Sequence, residues 1–328
     1  MKVLVTGGAG YVGSHCVRAL CEAGHGVVVL DNLSQGHRRA VDERAAFVAG
    51  DLADHAVLGA ALRDGGFDAV IHFAACLDVS ESVRLPLKYY DNNVVNTVHL
   101  LRLMAQVGIQ RFVFSSSCAV YGVPQACPIV EENPKDPINP YGRTKLAIEW
   151  VMRDSAAAWG LGGCALRYFN AAGAAADALI GEDHDPEIHL VPIVLQVALG
   201  RRDHVNIFGI DYPTPDGTCL RDYVHIEDLA AAHVLALETV KAGTFRHYNI
   251  GTGEGTSVRQ IIDAAREVTG HDIPAVTAPR RAGDPPALFA DPSKIKTELG
   301  WKPEYTDIVP IIETAWRWHH SHPQGFDR

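Results

Sequence analysis

The sequence predicts an α/β fold, with a doubly wound parallel sheet followed by a smaller, irregular C-terminal portion. Two observations favour this fold class. Short apolar segments rich in β-branched residues alternate with helical patterns up to about Asn170. Parallel strands covered on both faces have this continuous apolar character. Beyond Asn170 the alternation gives way to loops rich in aspartate, proline and glycine, so a second, less regular portion is expected there.

The predicted strands begin at the N-terminus and recur along the first half of the chain. Their ranges are 1–6, 27–30, 47–51, 69–74, 111–115 and 164–169. Helical patterns lie between them, including one over 93–107 and one that begins near Tyr141. In the C-terminal portion, helices are predicted around 191–199 and 257–269. Strands that alternate with helices indicate a sheet with helices on both faces.

Composition narrows the possible partners and the compartment. The chain has 328 residues, is 47% hydrophobic and carries a formal net charge of −10. A general nucleic-acid or anionic membrane surface would need a basic balance, so neither partner is expected. No apolar run is long enough to span a membrane, and the 7 cysteines have no tight spacing pattern. We therefore expect a cytoplasmic protein with reduced cysteines.

A glycine motif directly follows the first predicted strand. Residues 8–13, GAGYVG, fit G-x-G-x-x-G and open the first helical pattern. In this context the glycines let backbone approach a pyrophosphate at a helix N-terminus, the signature of a Rossmann-like dinucleotide site. Asp31 ends the second strand, where a carboxylate accepts ribose hydroxyls and repels a 2′-phosphate. NAD is thus predicted over NADP, although the cations of residues 37–39, HRR, argue the other way.

A tyrosine and a lysine at helical spacing supply candidate acid–base groups. Tyr141 and Lys145 are four residues apart after Pro140, which places them on one face of a helix that starts there. A nearby ammonium favours the phenolate, so Lys145 is expected to lower the pKa of Tyr141. One of the three serines at 115–117, after the fifth strand, can bind a substrate oxygen. This serine, Tyr141 and Lys145 are the predicted catalytic set.

The sequence resembles the UDP-glucose 4-epimerases of the extended short-chain dehydrogenase/reductase family, nearly end to end. The motif most specific to this group is FGIDYPTPDGTCLRDYVH at 208–225. Other matching segments are LVTGGAGYVGSH (4–15), LDNL (30–33), VIHFAA (70–75), YYDNN (89–93), FSSSCAVYG (114–122), NPYGRTKL (139–146), LRYFNAAGA (166–174), GEDH (181–184), VALGRRD (197–203), APRRAGD (278–284) and HPQGF (322–326).

The resemblance implies that Ser117 is the catalytic serine, and it implies a mechanism with no net redox change. Tyr141 takes the proton of the sugar 4-hydroxyl while C4 gives a hydride to NAD. The 4-keto sugar turns over in the site, and the hydride returns to its opposite face. The nucleotide holds the substrate while the hexose reorients, and NAD stays bound between turnovers.

The motif and the family positions together predict two sets of binding residues. The cofactor set is Gly7, Gly10, Tyr11, Val12, Gly13, Asp31, Asn32, Asp51, Leu52, Phe73, Ala74, Ala75, Asn92, Ser115, Tyr141, Lys145 and Phe169. The substrate set, for a UDP-hexose, is Ser117, Tyr141, Asn170, His189, Leu190, Asn206, Phe208, Arg221, Arg281, Asp284 and Leu288. Within it, the two arginines are expected on the diphosphate, because guanidinium groups bind phosphate in a bidentate fashion.

The chain departs from the family pattern at three positions. Leu77 stands where some members carry a lysine on the cofactor diphosphate, and His189 replaces an asparagine of the substrate loop. Leu288 occupies the position that gates the sugar C2 substituent, which is a tyrosine in some members. Since leucine is smaller than tyrosine, the site is expected to tolerate an N-acetyl group as well as UDP-glucose and UDP-galactose.

Other functions and sites were weighed. A nucleotide-sugar dehydratase or decarboxylase would need acid–base residues just after Ser117, where Cys118 and Ala119 stand. A UDP-uronate or UDP-pentose 4-epimerase stays open, while a cofactor-sensing module is disfavoured because Tyr141 and Lys145 are both present. No metal is expected: the clusters 182–189 and 319–322 have no established ligand spacing and are interpreted as a solvated loop and tail.

The chain is expected to divide into two domains and to dimerise. Residues 1–170, joined by part of 219–245, form the predicted NAD-binding domain, and 171–328 mainly form the UDP-sugar-binding domain. The resemblance implies a homodimer through a four-helix bundle. Its helices carry the apolar residues Val94, Val98, Leu101, Leu146 and Trp150, which also suit a core.

Overall fold

The computed structural model describes residues 1–281 and 284–326. Ala282 and Gly283 of the APRRAGD segment, and the last two residues of the predicted second domain, lie outside the described residues. The strands are β1 (Lys2–Thr6), β2 (Gly26–Asp31), β3 (Ala46–Ala49), β4 (Ala69–His72), β5 (Arg111–Ser115), β6 (Gly162–Tyr168), β7 (Asn170–Ala172), β8 (Val205–Phe208), β9 (Leu220–Arg221), β10 (Tyr223–His225), β11 (Phe245–Ile250), β12 (Thr256–Ser257), β13 (Ala275–Ala278) and β14 (Ala287–Leu288).

Helices follow most of these strands. They are α1 (Tyr11–Glu22), α2 (His55–Gly65), α3 (Val79–Arg84), α4 (Pro86–Tyr89), α5 (Asn96–Val107), α6 (Pro140–Trp159), α7 (Leu190–Ala198), α8 (Ile226–Thr239), α9 (Val258–Thr269), α10 (Ser293–Leu299) and α11 (Ile308–Ser321). Short 3-10 turns span Arg38–Ala40 and Cys118–Tyr121, and a π-helical turn, Tyr90–Val95, precedes α5.

The centre of the molecule is a seven-stranded parallel sheet in the order β11-β6-β5-β4-β1-β2-β3. The strands β2 and β3 are added on one side of β1, and β4, β5, β6 and β11 on the other side, as in a doubly wound sheet. The predicted Rossmann-like fold class is therefore confirmed. All these strands run the same way, so their carboxyl ends meet along one edge, and that edge is where open α/β sheets bind ligands.

Each face of the sheet buries its own core. Side chains alternate across a strand, so Val3 and Val5 pack on one face and Leu4 on the other. The first face is covered by α1 and α8, and the second by α2, α5 and α6. This double cover explains why the strands are apolar at nearly every position.

The predicted elements are present with shifted ends, and the structure adds others, among them β11 and the helices α8, α10 and α11. The strand predicted over 69–74 ends at His72, and the helix predicted from 93 begins as α5 at Asn96, after the π-helical turn. The strand β11 was not predicted, because its sequence FRHYNI mixes charged and apolar residues, as an edge strand does. After the first small strands of the C-terminal portion, the chain returns to the parallel sheet: α8 packs on one of its faces, and β11, which ends at Ile250, adds the edge strand beside β6.

The remaining C-terminal elements build a second core. Small sheets pair β8 with β13, and β9 with β12 and β14. The helices α7, α9 and α11 pack together around apolar residues such as Val194, Ile262 and Ile312. This portion carries most of the residues predicted to bind substrate, whereas the parallel sheet carries those predicted to bind the cofactor.

Candidate active site

The start of α6 fixes Tyr141. Pro140 is the first helical residue, and Asn139 caps the helix by accepting a 2.8 Å hydrogen bond from the Gly142 N–H. The cap and the proline both favour initiation at this point. Tyr141 therefore lies in the first turn with Lys145 one turn later on the same face, and the Lys145 ammonium is 5.7 Å from the centre of the Tyr141 ring.

Lys145 is buried and tied to the end of β5. Its Nζ donates a 2.7 Å hydrogen bond to the main-chain carbonyl of Ser115 and lies 4.9 Å from the centre of the Phe114 ring. Burial disfavours the charged form and lowers the pKa of Lys145 to about 7. The side chain can therefore gain or lose its charge near neutral pH.

Tyr141 does not have the lowered pKa that the spacing suggests. Burial raises the pKa of the Tyr141 phenol, and the neighbouring Tyr168 acts in the same direction, while the Ser117 hydroxyl opposes them. The cost of desolvating the phenolate is larger than the stabilisation that one hydrogen bond from a hydroxyl provides, so the net shift of the pKa is upward. In the chain without ligands, Tyr141 is thus a protonated group that can donate to a substrate oxygen.

The three serines after β5 have three different environments. The Ser116 hydroxyl donates to Glu149 at 2.6 Å, in the core, and the Ser115 hydroxyl shares a 2.6 Å hydrogen bond with the Tyr168 hydroxyl. Ser117 caps the 3-10 turn that follows and also contacts Tyr141. Of the three, Ser117 is the serine whose hydroxyl acts on the pKa of the Tyr141 phenol, which it lowers.

The glycine motif forms a tight cradle between β1 and α1. A Cβ on Gly7, whose φ is +74°, would lie 2.5 Å from the Ala74 amide nitrogen, so only glycine lets these backbones approach. Phe73 and Ala74 donate their N–H groups to the Thr6 carbonyl at 2.9 and 3.1 Å. Gly10 caps α1 without any side chain, so the first N–H groups of the helix are available to an anion.

Asp31 braces this cradle from the end of β2. Its carboxylate accepts hydrogen bonds from the N–H groups of Ala9, at 3.0 Å, and Leu33, at 2.8 Å. A carboxylate has about four lone-pair positions, so two hydrogen bonds leave capacity for hydroxyl groups. Beside it, Asn32 donates to Asp51 at 2.6 Å, which joins the ends of β2 and β3, and Leu52 is buried after them.

The cations that follow the second strand are engaged away from Asp31. The His37 Nε2 lies 3.1 Å from the Asp183 carbonyl, and its ring stacks on Phe326. The Arg38 guanidinium lies 4.8 Å from the centre of the Phe47 ring. Neither observation favours a 2′-phosphate site.

An asparagine that the sequence analysis did not single out holds the loop after β4. The Asn93 amide accepts from the Cys76 N–H at 2.8 Å and donates to the Cys76 carbonyl at 3.1 Å. It also donates to Thr144 of α6 at 3.2 Å, and Asn92 donates to it at 2.9 Å. Asn93 thus joins the cofactor edge to the helix of Tyr141. The sequence signal that could have identified Asn93 is the YYDNN motif, of which it is the last residue.

The residues predicted for the substrate lie on the small strands of the C-terminal portion. Arg221 on β9 forms an ion pair with Asp284 at 2.5 Å. Leu288 on β14 lies opposite Arg221 in the parallel pair of β14 and β9. The Arg281 guanidinium lies 4.0 Å from the centre of the Phe208 ring. Arg221 also lies near Cys118, which follows β5: burial raises the pKa of the Cys118 thiol to about 12, and the Arg221 guanidinium opposes that rise.

The other substrate candidates are less closely grouped. Asn170 begins β7, directly after the sixth sheet strand, and Phe169 packs with Cys118 and Leu288 in a small apolar cluster. Asn206 is exposed on β8. His189 precedes α7 and contacts Glu182, whereas Leu190 opens that helix.

Comparison with known proteins assigns the family. Residues 3–251 match the model of the NAD dependent epimerase/dehydratase family. The chain is 54% identical over 327 residues to a UDP-glucose 4-epimerase of Lacticaseibacillus casei, which covers 99% of each chain. The chain belongs to the NAD dependent epimerase/dehydratase family.

Solved structures agree with this assignment. One crystal structure of a UDP-glucose 4-epimerase superimposes with a TM-score of 0.97 at 48% identity and covers 100% of both chains. The UDP-glucose 4-epimerase of Bifidobacterium longum, solved with NAD+ and UDP, gives a TM-score of 0.95 at 39% identity and covers 99% of this chain and 100% of its own.

Within this epimerase/dehydratase fold, the residues after Ser117 limit the chemistry. Cys118 is buried with a raised pKa, and Ala119 has no titratable group. Neither residue can supply the second acid–base pair that an elimination needs. Arg167 and Glu149 form an ion pair at 2.5 Å that is buried in the core. Glu149 also accepts the hydrogen bond of the Ser116 hydroxyl, so this pair holds the end of β5 in place.

Among residues 1–281 and 284–326, no helix has the length and apolar character needed to cross a membrane.

Proposed function

We propose that this protein interconverts UDP-glucose and UDP-galactose by inverting C4 of the sugar, with NAD held in the glycine cradle. The observation that carries the proposal is the arrangement of Tyr141, Lys145 and Ser117 at the carboxyl edge of the sheet. Cys118 and Ala119 beside them favour epimerisation over elimination. High identity to UDP-glucose 4-epimerases over the full chain supports the same activity.

The residues of the cradle fit NAD. Gly7, Gly10 and Gly13 leave room for backbone close to a pyrophosphate, and the N-terminus of α1 would meet it. Asp31, which already accepts from the Ala9 N–H, would accept hydrogen bonds from the adenosine ribose. When bound, NAD accepts a hydride from the sugar and returns it. Tyr11, Val12, Asn32, Asp51, Leu52, Phe73, Ala74, Ala75, Asn92, Ser115 and Phe169 would line this site.

Tyr141, Lys145 and Ser117 would then move and hold protons at the sugar 4-oxygen. The proton of the 4-hydroxyl passes to Oη of Tyr141 and later returns from it. The phenolate needed for the first step is favoured by the Ser117 hydroxyl and by a charged Lys145 at 5.7 Å from the ring. Ser117 positions the oxygen, because its hydroxyl is next to the phenol.

The C-terminal portion would hold the nucleotide. Arg221 and Arg281 would supply cations for the diphosphate. Phe208, which contacts Arg281, and Asn206, two residues earlier on β8, would bind the uracil. Asp284, the present partner of Arg221, would meet the uridine ribose. Asn170, His189 and Leu190 complete the proposed site. This division of labour is the basis for the proposed domains, 1–170 with part of 219–245 for NAD, and 171–328 for the UDP-sugar.

Leu288 bears on which sugar is accepted. It is half-buried, opposite Arg221 in the β9–β14 pair, and packs with Phe169. A side chain smaller than tyrosine leaves room for a C2 substituent, so UDP-N-acetylglucosamine and UDP-N-acetylgalactosamine are proposed as additional substrates. The alternatives are a UDP-uronate or UDP-pentose 4-epimerase and, with less support, a dehydratase.

One experiment separates these possibilities. The purified protein is incubated, without added NAD, with UDP-galactose, UDP-N-acetylgalactosamine or UDP-glucuronate, and products are resolved by chromatography. We expect UDP-glucose from the first and UDP-N-acetylglucosamine from the second. Product from UDP-glucuronate alone would replace the proposal by a uronate epimerase, and a dehydrated product would replace it by a dehydratase.

We also propose a cytoplasmic homodimer. All 7 cysteines are free. Around α4 to α6, several large apolar side chains are exposed, namely Leu87, Tyr90, Val95 and Trp150. Of the stripe predicted from sequence, Leu101 and Leu146 are core residues, and Trp150 is 54% exposed. Light scattering after size exclusion is expected to give twice the chain mass, and Trp150→Glu is expected to lower it. A monomeric mass for the unsubstituted protein would contradict the proposal.

A further inference from the structure

The loop between β7 and α7 brings two glutamates and two histidines together, and the centre of the His184 ring lies 6.3 Å from that of the Tyr11 ring on α1. One ligand atom from each of Glu182, His184, Glu187 and His189 lies within 4.8 Å of every other. In residues 1–281 and 284–326, no other group of three or more histidine, cysteine, aspartate or glutamate side chains converges in this way. The solvated loop expected from sequence is not present at these positions, since the two glutamates are buried.

The contacts within the group are short but are not hydrogen bonds. Oε1 of Glu182 is 2.6 Å from Nδ1 of His189 and 3.2 Å from Nδ1 of His184. All three atoms are buried, and none has a hydrogen-bond partner of acceptable geometry. Unpaired buried polar atoms are rare in native proteins because each one costs stability. Three such atoms aimed at one another indicate a shared ligand between them.

Glu187 completes the group on its other side. Its Oε2 is 3.9 Å from Nδ1 of His184, and its Oε1 is 3.6 Å from Nδ1 of His189. Oε1 also accepts the N–H groups of Ile188 and His189, both at 2.8 Å, so the carboxylate is held in place. Hydrogen bonds of this kind orient the carboxylate ligands of metal sites.

A metal ion at the centre of the group would give the three unpaired buried atoms, Oε1 of Glu182 and Nδ1 of His184 and His189, a common partner. A tetrahedral zinc site with bonds of about 2.0–2.1 Å separates its ligand atoms by about 3.3 Å. The contacts of 3.2 and 3.6 Å are near this separation, whereas the 2.6 Å contact between Glu182 and His189 would lengthen when an ion binds.

We propose that Glu182, His184, Glu187 and His189 bind one divalent transition-metal ion, with Zn²⁺ the best match to the donors. Imidazole and carboxylate ligands in a tetrahedral arrangement suit Zn²⁺ and do not suit Mg²⁺ or Ca²⁺, which prefer oxygen alone. Four protein ligands close the coordination sphere, so the ion is structural. It would fasten the loop to the start of α7, which His189 directly precedes.

The metal content of the protein tests this inference independently of epimerase activity. Protein without an affinity tag is purified, dialysed and measured by inductively coupled plasma mass spectrometry. We expect about one Zn²⁺ per chain, or uptake of one after chelator treatment and titration with ZnCl₂. Chelator-treated protein that takes up no Zn²⁺ would overturn the inference.

Matched variants locate the ion. Glu187→Gln and His184→Gln each remove one ligand, and we expect affinity for Zn²⁺ to fall at least tenfold. His320→Gln is the control, since this histidine is exposed on α11 and outside the group. Equal affinity in all three variants and the unsubstituted protein would place any bound ion elsewhere and overturn the inference.

Cobalt provides a readout that does not depend on variants folding. Co²⁺ added to the chelator-treated, unsubstituted protein should give the intense visible absorption of a four-coordinate ion, and Zn²⁺ should abolish it. The weak absorption of six-coordinate Co²⁺ would contradict the proposed tetrahedral site. MgCl₂ in place of ZnCl₂ should leave the cobalt spectrum unchanged.

Discussion

Lys145 donates a 2.7 Å hydrogen bond to the main-chain carbonyl of Ser115. This bond ties the helix that carries Tyr141 to the strand that leads to Ser117. Three residues from two elements are thus held at the edge of the sheet in one rigid arrangement. Catalytic groups need such support, because a misplacement of about 1 Å can cost a hundredfold in rate.

Replacing Tyr141 by Phe should remove the proton acceptor and leave the cofactor site intact. General acid–base catalysis contributes roughly 10²–10⁴-fold, so we expect turnover of UDP-galactose to fall by about that factor. NAD bound per chain, measured after acid denaturation, should stay unchanged. Unchanged turnover in Tyr141→Phe would refute the assigned role.

The buried lysine should make stability depend on pH. The pKa of Lys145 is about 7 in the folded chain, whereas a free lysine has a pKa of about 10.4. Between these values the unfolded chain binds more protons, so the free energy of unfolding rises with pH. Lys145→Met removes this dependence, and its stability relative to the unsubstituted protein should be highest near pH 7 and decline towards pH 10.

Urea unfolding of nucleotide-free protein at several pH values measures this effect. Lys302→Met, at an exposed position, serves as the control and should give a stability difference that does not change with pH. A flat difference for Lys145→Met over the same range would show that the buried amine has an ordinary pKa.

Neighbouring arginines should differ in their effect on substrate affinity. Arg281 lies against Phe208, whereas Arg280 pairs with Asp211 at 2.7 Å and stacks on Tyr212. If Arg281 holds the diphosphate, Arg281→Ala should raise KM for UDP-galactose at least tenfold, or about 1.4 kcal/mol. Arg280→Ala should change KM less than threefold. The reverse order in steady-state kinetics would reassign the diphosphate contact.

Leu288 should set the tolerance for the sugar C2 group. Leu288→Tyr adds bulk beside Arg221 and should lower kcat/KM for UDP-N-acetylgalactosamine at least tenfold more than for UDP-galactose. Leu288→Ala serves as the comparison and should keep both activities. Normal UDP-galactose activity without any turnover of UDP-N-acetylgalactosamine in the unsubstituted protein would contradict this role.

The buried pair of Glu149 and Arg167 should stabilise the base of the site. Removing one partner leaves the other charge buried and unpaired, so Glu149→Ala is expected to cost about 3–5 kcal/mol in urea unfolding. Asp263→Ala removes the partner of Arg266 from an exposed pair and should cost less than about 1 kcal/mol. Similar losses in the two variants would contradict this interpretation.

Much of this arrangement was predictable from local patterns. The glycine turn, Asp31 and the tyrosine–lysine spacing each follow from rules that act over a few residues, and the fold class follows from alternating strands and helices. The sequence alone did not identify β11, whose mixed composition resembles a loop, or Asn93, whose importance depends on reaching both Cys76 and Thr144. Local patterns also did not distinguish among the three serines after β5, and Ser117 was assigned from the family resemblance.

The amino-acid sequence by itself determined that Tyr141 and Lys145 share a helix face next to a dinucleotide cradle, because helix periodicity and strand-end glycines are local properties. Tertiary structure decided their charge states: packing removes water from both groups, which lowers the pKa of Lys145 and raises that of Tyr141. The tertiary structure also decided that Glu182, His184, Glu187 and His189 lie close together. Their spacing indicates a solvated loop, yet packing against the rest of the chain buries them around a common centre, since burial depends on residues distant in sequence.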